Sequence, residues 1–87
     1  MIHELKIKEE YFGAIKSGKK HFEIRKNDRG FKVGDYIALN EIKNEDLPFP
    51  EYTGRSLIAK ITYILEDKEY LQPGYVALSI KESNFIN

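Results

Sequence analysis

Glu23 and Arg25 stand two residues apart in the segment Gly18-Lys19-Lys20-His21-Phe22-Glu23-Ile24-Arg25. On an extended chain, residues i and i+2 share a face, so carboxylate and guanidinium lie side by side. As a surface ion pair they would contribute only ~0–1 kcal/mol, and periodicity alone favours that reading. Placed in a pocket, Arg25 would hold a phosphate or a base edge in its planar fork. Glu23 would then accept hydrogen bonds from an amino or hydroxyl group of the ligand. Lys19 and Lys20 come just before this pair. They either cap the last carbonyls of a helix in solvent, contact phosphate, or supply a buried amine able to act as base or nucleophile. His21 reads as a strand-surface residue.

Positive charge gathers around this segment. Lys16, Lys19, Lys20, Arg25, Lys26, Arg29 and Lys32 face only Glu23 and Asp28 between positions 16 and 32, in a chain of net charge zero. The local excess is a candidate anion-binding face. The lack of a global excess argues against a protein that grips nucleic acid broadly through its phosphates. Acids collect elsewhere, at Glu41, Glu45, Asp46 and Glu51 and again at Glu66, Asp67 and Glu69, and read as solvated loops. Six tyrosines, Tyr11, Tyr36, Tyr52, Tyr63, Tyr70 and Tyr75, exceed what a small dry core needs, because a buried phenol requires a hydrogen-bond partner. Some are expected to line a groove, since aromatic faces beside basic groups hold single-stranded nucleic acids or isolated bases. Half-burial at strand ends is an equally good account of any one of them.

These groups have to be positioned by one small domain spanning residues 1–87, with 81–87 as a polar tail. His3-Glu4-Leu5-Lys6-Ile7 alternates and predicts a first strand. Glu9 to Ser17 predicts a helix, with Tyr11, Phe12 and Ile15 as its apolar stripe and acids and Lys16 placed to suit the dipole. Gly18 suits the left-handed residue that ends helices, and Gly13 suggests a close backbone approach. Lys20 to Lys26 predicts a strand with Phe22 and Ile24 on one face and His21, Glu23 and Arg25 on the other. Tyr36 to Ile42 is a further strand. Lys43 to Gly54, with Pro48 and Pro50, reads as a long loop of the kind that is often functional. Arg55 to Leu65 is the longest β-prone stretch and is partly apolar on both faces, which suits a barrel strand or one covered by the helix. Glu66 to Gln72 reads as a polar connection and Tyr75 to Ile80 as the last strand. One early helix and several short strands argue for an α+β domain whose strands hide their edges by closing into a barrel.

Other chemistry finds poor support. The chain has no cysteine, so disulfides and thiolate metal sites are ruled out. His3 and His21 are too far apart for a metal motif, no Gly-rich phosphate loop is present, and no Ser stands in a nucleophile elbow. No metal and no cofactor are expected. No apolar run approaches the ~20 residues needed to cross a bilayer, so no membrane association is expected. No leader pattern is evident, and the expected compartment is the cytoplasm.

The segment from Gly18 to Arg25, followed by Gly34-Asp35-Tyr36-Ile37, resembles the Gly-x-Lys-x-x-Glu-x-Arg … Gly-Asp-x-Ile pattern of ASCH domains, in the PUA-like superfamily. His3-Glu4-Leu5-Lys6-Ile7, Phe22 to Arg29, Tyr52-Thr53-Gly54-Arg55 and Gly74-Tyr75-Val76 are similar to a group of small bacterial and phage members. The resemblance implies a PUA-like β-barrel of five to six strands with one or two short flanking helices. It implies a cleft beside the first helix and second strand, with Lys20, Glu23 and Arg25 as cleft residues, and an RNA-related role. A related branch hydrolyses the acetyl amide of N4-acetylcytidine and resembles Gly-x-Lys-Thr-x-Thr-x-Arg, the Lys and second Thr being catalytic. Lys20 matches that Lys, but Glu23 stands where the nucleophilic Thr would be.

The expected function is therefore an RNA- or nucleotide-binding module. Lys20, Glu23 and Arg25 would form the cleft, Lys19 and Arg55 would assist with phosphate, and Tyr52 or Tyr63 would stack on a base. The alternatives are a small amidohydrolase acting on a modified nucleoside through Lys20 and Glu23, and a phage or host module binding a protein through residues 43–54.

Overall fold

The computed structural model describes residues 1–43 and 48–83. The elements run β1 (Ile2–Lys8), α1 (Glu9–Lys16), β2 (Phe22–Lys26), β3 (Tyr36–Lys43), β4 (Glu51–Leu65) and β5 (Tyr75–Glu82). No helix among the described residues is long and apolar enough to cross a membrane.

Alternation along β1 buries His3, Leu5 and Ile7 and leaves the intervening residues in solvent. Glu9 and Glu10 occupy the first turn of α1 and Lys16 the last, where the dipole favours them. Phe12 and Ile15 are the helix residues that enter the core. The helix ends at Ser17, and Gly18 at φ +80° reverses the chain toward β2. The sheet order is β1-β3-β4-β5-β2, with β1 and β3 parallel and every other pair antiparallel. Its concave side carries Ile37, Leu39, Leu57, Ile61 and Leu78, all close to fully buried together with Phe12 of α1.

This is a small, mostly-sheet α+β fold in which five strands curl into a half-barrel. The two end strands, β1 and β2, come face to face without a backbone ladder between them. Arg25 Nη2 donates to the Lys6 carbonyl at 2.6 Å, and Arg29 Nη1 donates to the Glu4 carbonyl at 2.8 Å. Arginine side chains thus occupy carbonyl acceptors that a closed barrel would give to a neighbouring strand, which blunts the exposed edge of β1.

Several local expectations are corrected. The regular part of β2 begins at Phe22 rather than Lys20, although Ile80 N–H still bonds the His21 carbonyl at 3.0 Å. Lys43 belongs to β3 and Glu51 to Gly54 belong to β4, so the connection between these strands is shorter than residues 43–54. Residues 81 and 82 extend β5 instead of forming tail. Glu45 and Asp46, and the tail residues Phe85 and Ile86, lie outside the described residues. Gly13 makes no close approach: a methyl group there would meet nothing within 4 Å.

Candidate functional site

The register explains why Glu23 is buried. Leu78 of β5 pairs with Ile64 on one side and Glu23 on the other, so the carboxylate shares the concave face with core residues. Phe22 and Ile24 are consequently turned outward, 48% and 53% exposed, although they are the apolar residues of the strand. A buried carboxylate needs partners, and the neighbouring basic groups supply them. Lys20 Nζ donates to Glu23 Oε2 and, at 2.7 Å, to the Phe22 carbonyl. Arg25 Nε donates to Glu23 Oε1 at 3.0 Å. The Lys20 ammonium also lies 5.3 Å from the Tyr11 ring centre and 4.9 Å from that of Phe22, within cation–π range.

These groups line a cavity of about 740 Å³ between the edges of β1 and β2. Lys6 and Ile7 form one wall, Lys20, Glu23 and Arg25 the other, and Ile42 of β3 also contributes. The volume lies in the range of small-molecule sites, on the order of 300–1,000 Å³. The Lys20–Glu23–Arg25 cluster carries one net positive charge. Two of the three ammonium N–H groups of Lys20 are spoken for, and Arg25 has more donors than its bonds to Glu23 and Lys6 use. The site can therefore accept a flat ligand against Tyr11 and Phe22 while offering donors to an anion.

The other candidates do not converge on this cavity. Lys19 is exposed on the helix-to-strand connection, and Tyr52 is exposed at the start of β4. Tyr63 pairs with Ser79, one row away from Glu23 on the opposite face of the sheet. Arg55 is engaged elsewhere, donating from Nε to Glu41 Oε1 and from Nη2 to Oε2, both at 2.7 Å. It also stacks over the Phe12 ring at 4.9 Å.

Glu41 lies in the strand expected for Tyr36 to Ile42, but it is buried and not solvated as its grouping with the other acids suggested. Its register slot faces a bulge: Asn40 pairs with Ser56 and Ile42 with Tyr52, leaving Thr53, Gly54 and Arg55 opposite Glu41 alone. Gly54 at φ +92° makes that detour possible. Thr53 Oγ1 adds a third hydrogen bond to Glu41 at 2.6 Å. The Arg55 and Thr53 hydrogen bonds, in that order, hold the Glu41 carboxyl below its ordinary range against the opposing effect of burial. A second polar pair joins the buried His3 to the half-buried Asp35, Nε2 to Oδ2 at 2.8 Å, with the His3 ring edge-on to Phe31. That bond is the main cause holding Asp35 below the usual carboxylate range. Neither pair was legible in the sequence, where the partners are 14 and 32 positions apart.

The fold and cleft define a small half-barrel domain with a basic, aromatic-edged pocket between its end strands. The sequence pattern of a domain of unknown function, DUF3850, matches residues 2–80, and the chain belongs to that family. It is also 31% identical over 99 aligned positions to an uncharacterized 12.9 kDa protein in the GpA 3′ region of Escherichia phage P2, covering 99% of this chain and 86% of the relative.

Proposed function

We propose that this chain is an RNA- or nucleotide-binding module of ASCH, PUA-like type whose ligand enters the cleft around Lys20, Glu23 and Arg25. The observation that carries this reading is the convergence of two cations on one buried carboxylate beside two aromatic rings. Buried ion clusters are poor stabilisers compared with apolar packing of the same volume, so a role in recognition accounts better for this one. The remaining donors of Lys20 and Arg25 suit a phosphate or a base carbonyl, Glu23 fixes those two cations in place, and Tyr11 and Phe22 suit the face of a base.

Fluorescence anisotropy with short single-stranded RNA tests this. Affinity is expected to fall with rising salt, and Lys20→Ala or Arg25→Ala is expected to weaken binding at least tenfold. Unchanged affinity in both variants would sink the cleft reading.

The direct contact between Lys20 and Glu23 favours a second reading, a modified-nucleoside amidohydrolase in which this pair activates water. That reading requires acetate release from N4-acetylcytidine that disappears in Lys20→Ala. Both oxygens of Glu23 are already hydrogen-bonded to cations, which favours the binding role.

A further inference from the structure

The convex side of the same sheet carries a second surface. Tyr63, Ser79 and Phe22 form one row across β4, β5 and β2, and Leu65, Ala77 and Ile24 form the next. Phe22, Ile24, Tyr63 and Leu65 are all exposed, with the small residues Ser79 and Ala77 between them. The helix packs on β1 and β3 and leaves this face open. Scattered exposed apolar residues need no explanation, but a contiguous group on three adjacent strands marks an interaction surface.

Its chemistry narrows the partner. Lys60 and Lys81 pair directly in the row beyond Tyr63 and Ser79, and Lys26 stands at the opposite end beside Tyr75. No outward position of β2, of β5 or of β4 from Ser56 onward is acidic, although the chain as a whole has as many acids as bases. A second copy docking through this face would bring lysines without complementary carboxylates. A polyanion with flat apolar groups matches both the charge and the rings. Tyr63 and Phe22 stand about 10 Å apart, two interstrand spacings, which leaves room for a base on each. Phe22 also borders the cleft, so the two surfaces are continuous.

We infer that this face is a stacking platform for single-stranded RNA, extending the cleft. One nucleotide occupies the cleft with its base against Tyr11 and Phe22, its neighbour stacks on Tyr63, and the backbone runs on to Lys60 and Lys81. The inference rests on the nucleotide-binding reading above.

Two probes separate the two claims: nucleoside monophosphates, which fill only the cleft, and a random-sequence RNA octamer. The octamer is expected to bind at least tenfold more tightly than any monophosphate. Tyr63→Ala is expected to weaken octamer binding roughly 5- to 150-fold, the usual range for losing one stacked base, and to leave monophosphate binding unchanged. A Lys60→Gln, Lys81→Gln double variant is expected to flatten the salt dependence of octamer binding by about 1.4 in log–log slope. Octamer affinity that Lys20→Ala lowers and Tyr63→Ala does not would overturn the platform and keep the cleft. Binding of neither probe would overturn the cleft and the platform with it. A dimer in sedimentation that Tyr63→Ala dissociates would assign the face to a second copy and overturn the platform.

Discussion

Asp35 and Glu41 both bind their protons more weakly in the folded chain than their ordinary values of 3.8 and 4.5 would give. A depressed folded-state pKa contributes stability that is complete above the unfolded value and lost as pH falls through the folded one. The protein is therefore expected to keep its full melting temperature above about pH 5 and to lose stability progressively below about pH 4. Thermal melts across that range check this. Glu41→Gln should lower the melting temperature at pH 7 and flatten the acid limb, because it removes a carboxyl whose pKa is depressed by folding and leaves Arg55 without its ionic partner. An acid limb as steep as wild type's would show that Glu41 does not contribute. The residues of the cleft were partly legible, since i and i+2 spacing makes Glu23 and Arg25 neighbours on any strand. Their depth was not. Burial of Glu23 follows from its pairing with Leu78, a residue 55 positions along the chain.

At the scale of elements, β2 runs against its own hydrophobic pattern. Phe22 and Ile24 would normally claim the buried face, yet Glu23 and Arg25 hold it because Lys20 and the β1 carbonyls satisfy their charges. Simple alternation fixes which residues share a face, and only the neighbouring strands decide which face is inside. The two glycines around α1 give a contrasting pair. Gly13 is helical, exposed and uncrowded, so Gly13→Ala is expected to stabilise by about 0.5–1 kcal/mol. Gly18 is also uncrowded but sits at φ +80°, so Gly18→Ala is expected to destabilise by roughly 1–2 kcal/mol. Urea midpoints measure both, and opposite signs are required. The length of β4 escaped the sequence pattern because its first residues, Glu51 to Gly54, lack a clean apolar alternation and pair across a bulge.

At the scale of the molecule, closure depends on side chains. β1 and β2 are joined by Arg25 and Arg29 reaching the Lys6 and Glu4 carbonyls, and the cleft lies in the same seam. Arg29→Ala does not touch the cleft and is expected to cost about 1 kcal/mol, as a partly exposed charged hydrogen bond does. It should also speed amide exchange at the ends of β1 and β2 while the centre of β4 and β5 stays protected. Uniform exchange across the sheet would contradict a side-chain seam. The sequence by itself determined the helix and strand pattern, the Gly18 turn and the grouping of Lys20, Glu23 and Arg25, because these follow from local periodicity and backbone freedom. Tertiary structure alone decided that Glu23 and Glu41 are buried, that Arg55 serves Glu41, and that Tyr63 faces away from the cleft. Each depends on register between strands distant in sequence, and register fixes which side of the sheet a side chain meets.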